Sequence, residues 1–469
     1  MQKTKEVKKY FKILLVLFAF TNIYISGQSQ NWTLIQCVDT ALKNNLTIQQ
    51  SNNTINVNKI TLSQSKSNLL PSLNGGLGQS YDLKKANNSN ASLSASVTIF
   101  NGFQNKNTIK QNELNYQASK YDMEAQKNDI VLNVIDAYLQ ILYAEELVKN
   151  AKSQVDAIKL QMSEIEQFVN VGKKSESDLL QIKSELASDK LTYINAEGQL
   201  NSAKLNLQQI MNIRILKTFN IEYPLTIEPK TDELSEVENI YNLALKLQPV
   251  IKSYELKTQS SAYGLKIAKG SVYPRLTLNG NLGTNYLSSA KITETTYQNG
   301  IQDIGYLQSN PNEIVMGDVS VPVYNYLNYS FDKQLKDNFS KSLSLSLSIP
   351  IFNNGQVKNN IKKQEITLKN TLLEEQNAKN DLRKKIEQAY IDVENSIAKY
   401  NATKEQDNAS LASYENAKAK YDNGMMSMSE LLLELNKSTK AKSENIQARY
   451  ELIYNIKILD YYKGVPLTF

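Results

Sequence analysis

The stretch Ser342-Leu343-Ser344-Leu345-Ser346-Leu347-Ser348-Ile349 alternates serine with aliphatic residues, and Pro350-Ile351-Phe352 closes it. Successive side chains of a strand point to opposite faces, so this strand is apolar on one face and small and polar on the other. The pattern recurs at Ser92-Leu93-Ser94-Ala95-Ser96-Val97-Thr98-Ile99-Phe100. Two settings accept such strands: a half-covered sheet in a soluble protein, or a barrel wall between lipid and a watery lumen. Helix-patterned chain surrounds both islands, and that flanking chain has to decide between the two.

At the N-terminus, Lys3, Lys5, Lys8, Lys9 and Lys12 precede or overlap an apolar run from Phe11 to Phe20, with Ser26-Gly27-Gln28-Ser29 after it. Residues 1–27 therefore read as a secretory signal peptide cleaved near Gly27, too short in its apolar part to span a bilayer. Cys37, the single cysteine, lies beyond that point inside a helical pattern. It reads as neither a lipid-attachment site nor half of an internal disulfide.

The formal net charge is +6, of which the first 27 residues carry four units, so no nucleic-acid footprint remains. Histidine is absent, which excludes Ser-His-Asp triads, histidine-based zinc sites and imidazole bases. No glycine-rich phosphate loop or paired-acid motif stands out, so the sequence points away from an enzyme and from any cofactor. Only 17 glycines and 9 prolines in 469 residues argue for long uninterrupted elements.

The chain is built twice. A shift of 252 residues carries Phe100 onto Phe352, Ala137-Tyr138 onto Ala389-Tyr390, Gly172 onto Gly424 and Leu179-Leu180 onto Leu431-Leu432. Upstream the shift is 203, carrying Ala41-Leu42-Lys43 onto Ala244-Leu245-Lys246 and Pro71 onto Pro274. Two tandem repeats follow, 28–216 and 233–469, joined by a linker at 217–232. Each has the order helix, strand, strand, long helix, turn, helix. Strands are expected at about 73–81, 91–100, 276–286 and 338–352. The opening helices are expected from Thr33 to Leu69 and from Glu236 to Ser271, each stopped ahead of a proline.

Between strands, the first repeat needs only a short polar connection, Asp82 to Asn90. The second has a tyrosine- and asparagine-rich stretch, 287–337, expected as a long loop of the kind found at the outer mouth of a barrel. The helical hairpins are expected at 103–213 with its tip at Gly172, and at 354–463 with its tip at Gly424. A 67-residue arm such as Phe103 to Val169 would run roughly 100 Å. In the first returning arm, Leu179, Ile182, Leu186, Tyr193, Ala196 and Leu200 recur in steps of three and four, with the missing step on Asp189. That is a coiled-coil seam.

Four strands are too few for a membrane barrel, and open edges in lipid are forbidden. The strands must therefore close with those of other chains; two chains give about eight strands and three give about twelve. At this point the chain resembles the TolC-type outer-membrane efflux protein family over essentially its whole length beyond the signal segment. The resemblance rests on Trp32-Thr33-Leu34 opening a helix with Ala41-Leu42, the doubled order, the run Ser348 to Gly355, and the tips Phe168 to Leu180 and Tyr421 to Leu432. It implies a homotrimer with a twelve-stranded β-barrel in the outer membrane and a twelve-helix periplasmic α-barrel. It also implies docking to a periplasmic adaptor (a membrane fusion protein) and service to an inner-membrane pump or ABC transporter.

By the same resemblance, Glu430 matches an acidic position ringing the closed entrance, Asp178 is its equivalent in the first repeat, and Tyr421 matches a tyrosine that holds the tunnel shut. Leu433 and Met426 stand where well-known members have a second acid and an arginine, which implies one carboxylate ring and no arginine lock. A second reading of Glu430 is a helix-start acid following Ser427 or Ser429. The tips, with Val171, Gly172, Lys173, Asn423, Gly424 and Met425, are expected to meet the adaptor. Met425, Met426 and Met428 cluster there; thioethers suit Cu(I), although such methionines also serve as adaptable apolar contacts. The rival function is a periplasmic coiled-coil adaptor or structural protein without a pore, and a further one is a secreted glycan- or host-binding protein displaying the tyrosine-rich stretch.

Overall fold

The computed structural model describes residues 31–82, 86–216, 218–223 and 236–465. The expected signal segment lies outside them, as does most of the linker at 217–232. The first repeat contributes α1 (Leu34–Asn44), α2 (Leu46–Ser67), β1 (Ser72–Tyr81), β2 (Asn87–Asn101), α3 (Gln104–Asn170) and α4 (Glu176–Ile210). The second contributes α5 (Val237–Leu247), α6 (Pro249–Gly270), β3 (Arg275–Leu287), β4 (Lys291–Leu307), β5 (Asn310–Asn328), α7 (Phe331–Asp337), β6 (Ser340–Ser348), α8 (Gln356–Asp422) and α9 (Met428–Lys463). The doubled order read from the sequence is present, and the second repeat carries one insertion, β4-β5-α7.

The chain divides into two compact units. One comprises Val57–Tyr116 and Leu256–Leu372 and holds every strand. Its main sheet is antiparallel throughout, in the order β1-β2-β3-β6. Strand gives way to helix in the same way in both repeats, by two successive left-handed residues. These are Gly102 and Phe103 (φ 63° each) in one and Asn354 and Gly355 (φ 52° and 75°) in the other. Gly102 has a further reason to lack a side chain, since a Cβ there would collide with the Gly270 carbonyl oxygen.

The described residues of the other unit, which spans Met1–Asn56, Gln117–Glu255 and Leu373–Phe469, are mainly helical. One core packs α1 on α3, with Cys37, Ala41, Tyr138 and Leu142 nearly sealed from solvent. The Tyr138 hydroxyl donates to the carbonyls of Trp32 (3.3 Å) and Glu222 (2.5 Å), tying the entering chain and the described part of the linker to α3. Burial pushes the Cys37 thiol up to about 12, so it is an inert core residue, as its helical setting predicts. The second repeat builds the equivalent core from Ile240, Ala244, Ile386 and Val393.

Three expectations need correction. Residues 287–337 are not a loop: β4 and β5 pair over their whole length and α7 returns the chain. Both strands of such a ribbon have a free edge toward which a proline can turn its missing amide, so Pro311 and Pro322 do not argue against this ribbon as they would against a central strand. The opening helices are each broken in two. Asn45 stops α1 and its Oδ1 accepts from the amides of Thr47 (2.8 Å) and Ile48 (3.2 Å) to start α2, while Pro249 takes the first position of α6. Strand β2 starts at Asn87, ahead of the expected 91, and β6 ends at Ser348, because Pro350 has no amide to donate. Among the described residues no helix is long and apolar enough to cross a membrane.

Candidate functional site

Two features of this molecule have chemistry to offer: the sheet and the paired helical tips. In the sheet, cross-strand partners share a face, so the register sorts the side chains. Leu345 opposes Leu278, Leu347 opposes Leu276, Val97 also opposes Leu278, and Leu93 opposes Leu282. On the other face Ser344 opposes Asn279 and Ser346 opposes Thr277, and the Ser96 hydroxyl donates to Asn279 Oδ1 at 2.8 Å.

The apolar face is bare. Leu77 is 90 % exposed, Leu343 77 % and Leu345 63 %. A half-covered sheet of a soluble protein would bury these residues against a second layer, and the described residues provide none. The two settings open in the sequence are thereby separated in favour of a lipid-facing wall. Tyr81 and Tyr286 lie at one end of this face and Phe100 at the other. About ten residues separate Leu276 from Tyr286, roughly 33 Å of strand; tilted by about 40°, that projects to roughly 25 Å, the height of a membrane barrel's apolar band. Among the described residues, strands β1 and β6 each keep one unpaired edge.

The tips repeat one backbone design. In α3–α4, the amides of Gly172 and Lys173 return to the carbonyls of Val169 (2.9 Å) and Phe168 (2.8 Å). In α8–α9, the amides of Gly424 and Met425 return to Tyr421 (3.0 Å) and Lys420 (2.9 Å). This is a left-handed helix stop, with φ 77° at Gly172 and 71° at Gly424. Three residues on, Ser175 and Ser427 start the returning helices with reciprocal caps. Asp178 Oδ2 accepts from the Ser175 amide (3.2 Å), and Glu430 Oε2 from the Ser427 amide (2.9 Å) and hydroxyl (2.7 Å). These bonds hold the Glu430 carboxyl below the usual carboxylate range.

The two tips share one apolar core, formed by Ile158, Ile165 and Ile182 from the first hairpin and Tyr421, Met428 and Leu431 from the second. Tyr421 is buried, and Lys174 Nζ lies 3.8 Å from its ring centroid, a cation–π contact across the tips. Val171, Met425 and Leu433 remain exposed. Of the three tip methionines, Met428 is a core residue at 1 % exposure while Met425 is 73 % exposed. Their thioethers are divided between core and surface, which favours the packing role over Cu(I) ligation.

Asp189, the faulted step of the seam in α4, adds an unexpected feature near the tips. It is buried, its Oδ2 has no partner, and burial beside Glu185 pushes its carboxyl up to about 6, with Gln154 opposing the shift. Its equivalent one repeat later is Ala441, also buried. The signal was present as a charge at a seam position; its meaning needed the neighbours.

The family model described as "Outer membrane efflux protein" matches residues 37–212 and 240–457, one segment per repeat. Outer membrane protein TolC of Escherichia coli is 22% identical over 456 residues, covering 95% of this chain and 84% of that protein. Toxin and drug export protein A of Aggregatibacter actinomycetemcomitans is 23% identical over 327 residues, covering 67% of this chain and 68% of that protein. Among solved structures, the Campylobacter jejuni CmeC outer membrane channel superposes with a TM-score of 0.71 at 19% identity, covering 93% of this chain and 87% of that one. Outer membrane protein VceC of Vibrio cholerae gives 0.73 at 12% identity, covering 93% and 97%. These are matches to channels and exporters along both repeats, and they offer nothing to the rival reading as an adaptor. The chain belongs to the outer membrane efflux protein family and is an outer-membrane exit channel of the TolC type.

Proposed function

We propose that this channel is the passive outer duct of a tripartite efflux or type I secretion assembly. Three chains join their sheet edges into a twelve-stranded barrel, and their hairpins form the periplasmic tunnel. The observation that carries this reading is a four-stranded antiparallel sheet with one face bare and apolar and both edges unpaired. Such a sheet satisfies its backbone in lipid only by closing with other chains. Strands β1 and β6 run in opposite directions, so identical chains can continue the sheet without a parallel pair.

In this reading the tips, through Val171, Gly172, Lys173, Asn423, Gly424 and Met425, meet a periplasmic adaptor bound to an inner-membrane pump or ABC transporter. Glu430 and Asp178 line the constriction near Tyr421 and Leu433. The cap that Glu430 makes to Ser427 explains its place in the helix; a ring of such carboxylates would in addition attract cations. Extraction and electrophoresis test the assembly. A heat-modifiable trimer that requires detergent and conducts ions in planar bilayers is the expected result, and a monomer that stays soluble without detergent would sink the reading.

A further inference from the structure

The helices follow the order of the strands. The Ser51 hydroxyl of α2 donates to Gln126 of α3, the Ser260 hydroxyl of α6 donates to Asn115 of α3 (2.6 Å), and that of Thr258 donates to the Thr371 carbonyl of α8 (3.2 Å). The order α2-α3-α6-α8 therefore repeats β1-β2-β3-β6, and α2 and α8 are its two flanks. Both flanks carry bare apolar residues: Val57 and Ile60 on α2, and Ile366 on α8.

A groove of about 580 Å³ lies where β6 passes into α8, lined by Val272, Ile351, Phe352, Val357 and Ile361. Ile351 and Phe352 are 93 % and 83 % exposed, so none of the described residues fills it. At the opposite edge, the amides of Leu69 and Leu70 bond back to Lys66 (3.1 Å) and Ser67 (2.9 Å). That turn presents two exposed leucines just ahead of Pro71 and β1. The start of β1 and the end of β6 lie at the same end of the sheet, as the register requires. The register sets Ser72 in line with Ser344, four residues short of Ser348, so knob and groove stand at the same end of the sheet on opposite edges with a stagger of a few residues.

We propose that Leu69 and Leu70 of one chain seat in the Val272–Phe352–Ile361 groove of the next, making a head-to-tail apolar seam beneath the sheet edge. Ile60 lies roughly 10 Å and Ile366 roughly 15 Å along their helices from the sheet, so the seam continues down the two flanks. A contact whose halves occupy opposite edges of one chain closes into a ring when the rotation permits. The seam fixes the register of the edge strands, which backbone pairing alone leaves free to slip by two residues. It rests on the ring assembly proposed above.

The test uses the full-length protein with Cys37→Ala, adding Leu70→Cys and Phe352→Cys together and separately. Oxidation in membranes should give covalent dimers and closed trimers from the double variant and none from either single one. Leu70→Lys, which would meet the groove's own Lys358 and Lys362, should reduce trimer yield by about tenfold or more, and adding Phe352→Glu should restore it. Heat-modifiable trimers without cross-links or charge rescue overturn the seam while leaving the trimer standing; absence of any trimer from the parent overturns the assembly itself. Phospholipid retained at this groove, unaffected by Leu70→Lys and blocking cross-links, would assign the groove and its Lys358 and Lys362 to a lipid headgroup and also overturn the seam.

Discussion

The two repeats agree where the backbone is under constraint and differ where it is free. Their tips share a left-handed glycine, a serine cap and a capping acid, and their strands enter the helices through the same pair of left-handed residues. Their outer connections share nothing: a few residues around Asp82–Ala86 in one, a paired ribbon and a short helix in the other. Side chains differ too, even at matched positions, with Lys173 against Met425 and Asp189 against Ala441. Geometry has been retained through both repeats, and chemistry has diverged on it.

The sharpest way to break that comparison is in the sheet. Leu345→Arg and its first-repeat equivalent Leu93→Arg should both abolish assembly, each costing about 2–4 kcal/mol per chain near the membrane midplane. Ser344→Arg and Ser92→Arg should be tolerated, measured as trimer in outer-membrane fractions. Equal loss from all four would mean the serine face does not line a watery lumen.

Asp189→Ala should make the first hairpin resemble the second, gaining on the order of 1–3 kcal/mol by removing an unsatisfied buried group. The gain depends on pH. A carboxyl raised to about 6 takes up its proton on folding, so Asp189 costs stability progressively as pH rises from about 4 through 6. Thermal melts should therefore separate parent and variant more at pH 8 than at pH 5, and a constant gap would argue against the burial account.

Gly172→Trp and Gly424→Trp should each cost about 1–2 kcal/mol for a left-handed residue with a side chain. No atom stands within 4 Å of where the Cβ would be, so trimers should survive. Export and adaptor cross-linking should be lost in both; survival of export would reduce the tips to chain reversals.

Glu430→Gln should weaken block by a trivalent cation on the periplasmic side, and Asp178→Asn should do so less. In one chain the cap holds the Glu430 carboxyl low, while in a ring like charges raise one another's proton affinity. Block should therefore weaken toward pH 5 where the three copies stand close together. Least of all, replacing residues 288–339 by a short polar turn, as the first repeat has, should leave trimer yield unchanged. A large loss would give the ribbon a structural duty.

The sequence by itself determined the doubling, the two-faced strands, the long arms and the glycine tips, because each rests on short-range periodicity or on a residue with special backbone freedom. The family resemblance was legible for the same reason: it lies in order and spacing. Tertiary structure alone decided the rest. Pairing turned a tyrosine- and proline-rich stretch into a ribbon, since a strand with one free edge tolerates residues that a central strand rejects. Packing separated Met428 from Met425 and buried Asp189 and Tyr421, because which face of a helix is covered depends on partners hundreds of residues away. The strand order, which leaves one edge of β1 and one edge of β6 free, also came only from the assembled sheet, and from those edges follow both the ring and the seam beneath it.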